Sequence, residues 1–300
     1  MDKAGVKMLG VIGDPISHSL SPVMHQFILS REQLPYQYQA FRIKPAQLAV
    51  ALCSLKKQNF SGINVTLPHK QAVIPLLDKI ATEAKAVGAV NTILFQKHGI
   101  IGFNTDVKGF LNALGDWKTN LRGERAVVLG AGGSARAVIY ALIQCGIGSI
   151  TIFNRTLKSA ETLVCQLQSC TAFDNFSACR FDEKVLQETI FDSTIIINAT
   201  SLGLFPNIEQ NPLSDQFRFP ESMLVFDLIY NPLETSLLRN AKAQGVRIKN
   251  GLEMLIYQGV ESLKIWTGSD IDVHNYLEEL KLILKQGIER DGTTSLSHSG

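Results

Sequence analysis

A glycine-rich turn between a strand and a helix is the feature that most constrains the fold of this chain. Residues 125–129 (Arg-Ala-Val-Val-Leu) have the continuous apolar pattern of a strand in a parallel sheet. The turn 130–133 (Gly-Ala-Gly-Gly) follows at once, then an apolar helical pattern, and then a second apolar strand at 149–153. The first glycine permits a tight turn, and the last two let a pyrophosphate approach the backbone at the helix N-terminus. The pattern therefore predicts a βαβ unit that binds a dinucleotide.

The residues after the second strand bear on which dinucleotide is bound. A site for NAD would place Asp or Glu there to bond the ribose hydroxyls, whereas this chain has Asn154, Arg155 and Thr156, with Lys158 close by. A guanidinium and a hydroxyl bind a 2′-phosphate, which a carboxylate would repel. The sequence therefore predicts NADP rather than NAD. The alternative is that Arg155 and Lys158 form the solvated start of a helix.

Further elements extend this unit into a larger domain. Strands are predicted at 194–200, 223–229 and 246–250, and helices at 181–190 and 235–244. Strands that alternate with helices are typical of a parallel sheet covered on both faces. The predicted fold class is therefore α/β, with a doubly wound domain that follows a separate α/β region.

One lysine in the first part of the chain comes just after a predicted strand. The strand covers 60–66, and Pro68, which can begin a helix, lies between its end and Lys70. A lysine directed into a cleft from such a turn can donate and accept a proton. An ordinary surface lysine is the alternative interpretation of this residue taken alone.

Three serines precede the first predicted helix. Ser21 is a good N-cap and Pro22 a good first helical residue, which leaves Ser17 and Ser19 as hydroxyls beside the helix N-terminus. Free N–H groups and the helix dipole favour an anion at that place. The pattern is consistent with a carboxylate site, and the alternative is loop polarity plus one helix cap.

Polar residues also occur at strand ends and on a C-terminal helix. Asn91 and Asp106 lie near the ends of neighbouring apolar strands. Ligands bind at such strand ends in α/β sheets, and the alternative is that these side chains only close turns. A long helix is predicted from Gly251, with Met254 and Gln258 on one face, and is expected to cross back to the first domain. A final helix at 272–288 precedes a polar tail, 291–300, that is expected to be disordered.

The bulk composition narrows the function classes. With 300 residues, 45% of them hydrophobic, the chain can form two globular domains. A net charge of +2 gives no electrostatic case for binding nucleic acid or a membrane. Five cysteines without a CxxC pair indicate reduced, mostly structural thiols, and six histidines show no metal-ligand spacing, so no metal is expected. The sequence shows no membrane span and no signal peptide, so the expected location is the cytoplasm.

These motifs together resemble the shikimate dehydrogenase family over nearly the whole chain. Each segment is short, but their shared order is highly specific. The matching segments are 17–22 (Ser-His-Ser-Leu-Ser-Pro), 64–70 (Asn-Val-Thr-Leu-Pro-His-Lys), 88–92 (Gly-Ala-Val-Asn-Thr), 104–106 (Asn-Thr-Asp), 130–133, 154–156, 199–203 (Ala-Thr-Ser-Leu-Gly) and 251–258.

The resemblance implies an NADP-dependent oxidoreductase that interconverts 3-dehydroshikimate and shikimate in aromatic amino acid biosynthesis. It implies a discontinuous substrate domain, 1–106 with 251–290, and a Rossmann NADP domain, 107–250, in a monomer or homodimer. Lys70 and Asp106 would be the catalytic pair. The implied substrate ligands are Ser17 and Ser19 for the carboxylate, Asn64, Thr66, Asn91, Asp106 and Gln258 for the ring oxygens, and Tyr230, which would close the site. The implied cofactor ligands are Gly130, Ala131, Gly132, Gly133, Ser134, Asn154, Arg155, Thr156, Lys158, Thr200, Leu228, Gly251 and Met254.

Several alternatives remain open at this level. Many family members carry a second basic residue where this chain has Ser159, and the neighbouring Lys158 points about 100° away around a helix, which bears on the strength of the NADP preference. The same fold could act on quinate, or on both ring acids. A protein of another class, a non-catalytic NADP-sensing regulator, could dispense with Lys70, Asp106 and Gln258, all of which are present. A folate-linked NADP dehydrogenase is disfavoured by the paired serines.

Overall fold

The computed structural model describes residues 6–296, and the side chains of residues 6–289. Contacts divide the chain into two compact units. Unit 1 contains the described residues up to Thr105 and those from Ile256 onward, and unit 2 contains Asp106–Leu255. The described chain is therefore discontinuous in unit 1 and continuous in unit 2.

Unit 1 is built on a mixed six-stranded sheet. Its strands are β1 (Lys7–Gly13), β2 (Tyr36–Arg42), β3 (Phe60–Val65), β4 (Lys79–Ile80), β5 (Thr92–Gln96) and β6 (Gly99–Phe103), in the order β2-β1-β3-β5-β6-β4. Strand β1 pairs parallel with β2 and β3, whereas β5 is antiparallel to both of its neighbours. The helices of this part of the chain are α1 (Ser21–Arg31), α2 (Leu48–Lys57), α3 (His69–Ala72) and α4 (Thr82–Val87).

Unit 2 is built on a six-stranded sheet in which every pairing is parallel. Its elements are α5 (Asp106–Leu114), α6 (Trp117–Asn120), β7 (Arg125–Leu129), α7 (Gly133–Gln144), β8 (Ser149–Asn154), α8 (Leu157–Cys170), β9 (Phe176–Arg180), α9 (Glu183–Ile190), β10 (Ile195–Asn198), β11 (Leu224–Asp227), α10 (Ser236–Ala243) and β12 (Arg247–Lys249). The strand order is β12-β11-β10-β7-β8-β9. The order reverses between β7 and β10, which is the switch point where doubly wound sheets bind dinucleotides.

Apolar side chains from helices and strands form the core of unit 2. Val127 and Leu129 of β7 are buried together with Leu186 of α9 and Leu238 of α10. Residues 126–129 of β7 are all apolar and buried, as expected for a strand in a sheet with covered faces. The predicted fold class, with a doubly wound unit, is confirmed.

Two further helices complete the described chain. Helix α11 (Leu252–Thr267) begins in unit 2 and ends in unit 1, and α12 (Leu277–Leu296) lies in unit 1. Burial of α11 between residues 254 and 260 is continuous, so every face of this part of the helix is buried, including the face of Met254 and Gln258. Helix α12 also extends to Leu296, which corrects the prediction of disorder from residue 291. Adding residues to a formed helix costs little, and residues 297–300 lie outside the described chain.

Several local predictions need correction. Helix α1 begins at Ser21 itself, whose N–H donates to Ser19 Oγ (3.3 Å), so Ser19 rather than Ser21 contributes the side-chain oxygen at this end. Pro68 precedes α3 instead of being its first residue. The short strands β4 and β9 were not predicted.

The described residues contain neither a membrane-spanning helix nor a disulfide. Within 6–296, no helix combines the length and the apolar character needed to cross a membrane. The five cysteines form no disulfide, but Cys53, Cys165 and Cys170 are exposed, so the prediction of mostly structural thiols is wrong for these three.

Candidate active site

A buried asparagine on β3 has an amide whose orientation is fixed by its neighbours. The Nδ2 of Asn64 donates to the main-chain carbonyl of Asn91 (3.2 Å), a group that can only accept, and to Ser262 Oγ (2.9 Å). Its Oδ1 accepts from the Tyr38 hydroxyl at 2.6 Å. The side chain is 6% exposed, so each of these partners replaces water.

Asn91, just before β5, is oriented in the same way. Its Oδ1 accepts from the backbone N–H of Thr105 (2.7 Å), which can only donate. Its Nδ2 therefore donates to Gln258 Oε1 (3.2 Å). The Nε2 of Gln258 is consequently directed away from Asn91. The structure thus brings three sequence-predicted residues, Asn64, Asn91 and Gln258, into one hydrogen-bonded group within unit 1.

The lysine motif is held by its main chain. Thr66, directly after β3, accepts from the N–H of His69 (2.8 Å), and the buried His69 ring contacts the Ile43 carbonyl through Nε2 (2.7 Å). The carbonyl of Lys70 accepts from the N–H of Val90 (2.8 Å), the residue before Asn91. The backbone of Lys70 is therefore fixed beside the segment that carries Asn91, and its side chain is half-buried.

Ser17 and Ser19 form a second group within unit 1. Both line a cavity of about 360 Å³, together with Ala40 and Arg42 of β2. The Arg42 Nε donates to Asp14 Oδ1 (2.6 Å), and its side chain is 67% exposed. Sequence reasoning missed Arg42, although its place at the carboxyl end of a strand parallel to β1 was a signal. A guanidinium beside two hydroxyls suits an anionic group such as a carboxylate.

The glycine-rich turn of unit 2 has room for a ligand beside the backbone. Gly130 has φ +106°, and a Cβ added to it would lie 3.0 Å from the Ala199 carbonyl oxygen. Gly132 precedes α7 with φ −80°, and a Cβ added there would have no heavy atom of the described residues within 4 Å. Open space at a helix N-terminus fits a pyrophosphate. Ala131, Gly133 and Ser134 complete this turn and the first residues of α7.

The end of β8 presents basic and polar side chains. Asn154 is its last residue, and the Asn154 Nδ2 donates to the carbonyl of Thr156 (2.8 Å), which closes the turn into α8. Arg155, Thr156 and Lys158 are exposed. Residues 154–158 include no carboxylate, so this surface fits a 2′-phosphate better than a ribose with two free hydroxyls.

Two other predicted cofactor residues are packed against each other in unit 2. A Cβ on Gly251 would lie 2.0 Å from the Leu228 carbonyl oxygen, so only glycine fits, and the Gly251 N–H donates to the Ile229 carbonyl (2.9 Å). Thr200 and Tyr230 are half-buried, whereas Met254 is buried. Asp106, the first residue of unit 2, is 4% exposed.

Sequence reasoning missed two buried polar residues at the ends of β10 and β11. Asn198 Oδ1 accepts from the N–H (3.1 Å) and hydroxyl (2.7 Å) of Thr200. Asn198 Nδ2 donates to Asp227, which also accepts from the Thr235 hydroxyl (2.7 Å). Burial raises the pKa of Asp227 to about 6, against the effect of these hydrogen bonds. The sequence did contain a signal for Asn198 and Asp227, because each is the polar last residue of an otherwise apolar strand.

His25 in unit 1 is expected to make that unit sensitive to acid. Its ring is stacked on Tyr38 with centroids 4.0 Å apart, and burial lowers its pKa to about 4. In the unfolded chain, His25 takes up a proton below about pH 6.5, whereas in the folded chain it does so only near pH 4. The contribution of His25 to the free energy of unfolding is therefore fully present above about pH 6.5 and is lost as the pH falls towards 4. The loss attributable to His25 at pH 5 is about 2 kcal/mol. Asp227 acts oppositely in unit 2, because its raised pKa adds stability at low pH that disappears as the pH rises through 6.

Urea unfolding at pH 7.5 and pH 5 would measure this loss. Trp117 lies in unit 2 and Trp266 in unit 1, so Trp266 fluorescence in a Trp117→Phe background reports on unit 1. The His25→Leu variant should lose less stability between the two pH values than its parent does. Equal losses in both proteins would contradict the role of His25.

The three regions that match family models cover most of the chain. Residues 11–93 match the shikimate dehydrogenase substrate binding domain, 113–236 match shikimate / quinate 5-dehydrogenase, and 251–281 match the shikimate 5′-dehydrogenase C-terminal domain. The shikimate dehydrogenase (NADP(+)) of Moorella thermoacetica is 40% identical over 271 residues, which are 90% of this chain and 91% of the relative.

Two solved structures are similar to this chain over nearly its whole length. The shikimate 5-dehydrogenase of Thermus thermophilus, in complex with NADP(H) and shikimate, is 34% identical with a TM-score of 0.78, covering 95% of this chain and 99% of that one. Quinate dehydrogenase from Corynebacterium glutamicum, in complex with NAD, is 29% identical with a TM-score of 0.81, covering 93% and 99%.

The fold and the two groups of polar residues define a two-unit α/β protein with a doubly wound sheet of the dinucleotide-binding type. Identity of 40% across nine-tenths of the chain specifies the family. The chain belongs to the shikimate dehydrogenase family, and the resemblance drawn from its motifs is confirmed.

Proposed function

We propose that this protein catalyses the NADP-dependent, reversible reduction of 3-dehydroshikimate to shikimate, as part of chorismate and aromatic amino acid biosynthesis. The observation that carries the proposal is the oriented amide group of Asn64, Asn91 and Gln258, in a chain of this family. Amides with fixed donor and acceptor ends can distinguish the hydroxyls of a polar ring acid. The proposed location is the cytoplasm, and the proposed assembly is a monomer or homodimer.

The substrate would be held by residues of unit 1 and of the first turn of α5. Ser17 and Ser19 would bind the carboxylate with their hydroxyls, and the Arg42 guanidinium lines the same cavity. The proposed ligands of the ring oxygens are Asn64, Thr66, Asn91, Asp106 and Gln258, and Tyr230 would close the site. The proposed substrate domain is 1–106 with 251–290, and the proposed cofactor domain is 107–250.

The cofactor fits the residues present in unit 2. NADPH would supply a hydride to the ring ketone, and its pyrophosphate would lie at the turn of Gly130, Ala131, Gly132, Gly133 and Ser134. Asn154, Arg155, Thr156 and Lys158 would bind the 2′-phosphate, because a guanidinium and hydroxyls complement its charge. The remaining proposed cofactor residues are Thr200, Leu228, Gly251 and Met254.

Proton transfer is assigned to Lys70. Its Nζ would donate a proton to the alkoxide oxygen that forms at the reduced ketone, and it would accept that proton in the reverse direction. Asp106 would orient Lys70 and the substrate hydroxyl through its carboxylate. Exclusion of water from the reacting groups would strengthen both interactions.

Steady-state assays with two substrates and two cofactors test the proposal. We expect kcat/KM to be highest for shikimate with NADP, because the 40% identical relative is a shikimate dehydrogenase and because residues 154–158 include a guanidinium and no carboxylate. A higher kcat/KM for quinate would favour the alternative activity of the Corynebacterium relative. Binding of NADP without turnover of either ring acid would overturn the enzymatic proposal in favour of a regulatory protein.

A further inference from the structure

Ser262 lies at the centre of a group of buried polar side chains in unit 1. It is on α11, four residues after Gln258, and is 0% exposed. Four polar groups lie within hydrogen-bond distance of its hydroxyl, which can donate one hydrogen bond and accept two. The four groups are the main-chain carbonyl of Gln258 (3.0 Å), Asn64 Nδ2 (2.9 Å), Thr92 Oγ1 (2.8 Å) and Thr105 Oγ1 (3.1 Å).

The roles of the atoms in this group follow from what each can donate. The Gln258 carbonyl only accepts, so the single hydroxyl hydrogen of Ser262 is directed to it. The Ser262 lone pairs are then left for donors, and the Asn64 Nδ2 must donate. Ser262 is thus the acceptor that faces the nitrogen side of the Asn64 amide, opposite the Tyr38 hydroxyl on its oxygen side.

Among the described residues, Ser262 Oγ is the nearest acceptor to the Asn64 Nδ2. The other two acceptors of Asn64 Nδ2, the Asn91 carbonyl and Thr92 Oγ1, are both at 3.2 Å, compared with 2.9 Å for Ser262. Thr92 and Thr105 also contact the Oδ1 of Asn91, at 3.0 Å and 3.2 Å. Removing the serine hydroxyl would therefore loosen Asn64 and disturb the two threonines that support Asn91.

Ser262 also connects two parts of the chain that are far apart in sequence. Asn64 is 198 residues away, on β3, whereas Gln258 lies one helical turn before Ser262. A shift of α11 relative to the sheet of unit 1 would change the distance between Asn64 and Gln258. The bond from Ser262 to Asn64 holds that distance.

We propose that Ser262 is a positioning residue for substrate recognition, which fixes the Asn64 amide directly and, through its bond to the main chain of Gln258, sets the distance between the amides of Asn64 and Gln258. This inference rests on the proposed function, in which those amides bind the ring oxygens. Ser262 itself does not touch the substrate, so its effect appears in the KM for the ring acid and not in the binding of the cofactor.

The Ser262→Ala variant tests this inference. We expect the KM for shikimate to rise about tenfold, the size of effect expected for the loss of one buried hydrogen bond. The KM for NADP should stay within twofold of the wild-type value, and kcat should change less than the KM for shikimate. The Ser262→Cys variant keeps a side chain of similar size but loses the strong acceptor, so it should raise the same KM even if the alanine variant folds poorly.

Thr267→Val supplies a matched control on the same helix. Thr267 Oγ1 donates to the Leu263 carbonyl (2.8 Å), four residues before it, as Ser262 does to Gln258. Its other bond within the described chain is to the N–H of Ser269 (3.1 Å), away from the amide group. This variant should lower Tm without changing the KM for shikimate.

This inference and the proposed function fail in different ways. Turnover of shikimate by the wild-type enzyme tests the proposed function, and an inactive wild type would overturn both proposals. With an active wild type, Ser262 variants that lower Tm but leave the KM for shikimate within twofold would show that the serine is only structural. An equal rise in the KM for NADP would also refute the positioning role.

Discussion

Replacing Lys70 with alanine is expected to lower kcat by roughly 10²- to 10⁴-fold, the range that a positioned general acid contributes. The backbone of Lys70 is fixed by the bond from the Val90 N–H to its carbonyl (2.8 Å), so the fold should tolerate the change. The developing alkoxide would then have to take its proton from water. Because the proposed ring ligands Asn64, Asn91 and Gln258 remain, the KM for shikimate should change much less than kcat.

Steady-state kinetics in both directions would measure this effect. Lys85→Ala is the matched control, because Lys85 is an exposed lysine on another helix of unit 1 and should leave kcat unchanged. Lys70→Arg keeps the charge but does not release a proton near neutral pH, so it should be nearly as slow as the alanine variant. If Lys70→Ala kept a near-normal kcat while binding weakened, Lys70 would be a substrate ligand and not the acid and base.

The elements that sequence predicted well are those with a strong local pattern. Strand β7, the glycine turn and α7 were recognised because a run of apolar residues, a glycine with φ +106° and a helical pattern are all local signals. Strand β9 was missed because the apolar and polar residues of Phe176–Arg180 alternate only weakly. Its position is fixed by pairing with β8, which a local pattern does not contain.

In the candidate site, too, only the residues with a local sequence signal were predicted. Asn64, Asn91 and Gln258 were identified from motifs, but the residues that orient them were not. Tyr38 and Ser262 bond to Asn64 across 26 and 198 positions of sequence, and neither belongs to one of the recognised motifs. Buried polar groups must find partners wherever the fold brings them, so these contacts become visible only when the sheet and α11 are in place.

Replacing Gly132 with alanine is expected to abolish tight NADP binding while leaving the fold intact. The backbone of Gly132 has φ −80°, which alanine adopts readily, and the added methyl group would meet no heavy atom of the described chain within 4 Å. That same space is where a pyrophosphate would approach the N-terminus of α7. Because the pyrophosphate would lose a hydrogen bond to a charged group worth about 1.5–3 kcal/mol, we expect the KM for NADP to rise on the order of 10²-fold. The Tm of the free protein should be unchanged.

Two other glycines make the test specific. At Gly130, φ is +106° and a methyl group would lie 3.0 Å from the Ala199 carbonyl oxygen, so Gly130→Ala should cost about 1–3 kcal/mol of stability and lower Tm as well. Gly287→Ala adds a methyl group inside α12 with its nearest heavy atom at 3.5 Å, so it should raise Tm slightly, because alanine favours a helix over glycine by about 1 kcal/mol, and it should leave the KM for NADP unchanged. Titration of each variant with NADP, together with thermal unfolding without it, distinguishes a blocked cofactor site from a damaged fold. If Gly132→Ala kept the wild-type affinity for NADP, the pyrophosphate would not bind in the space beside Gly132, because a methyl group placed there would have obstructed it.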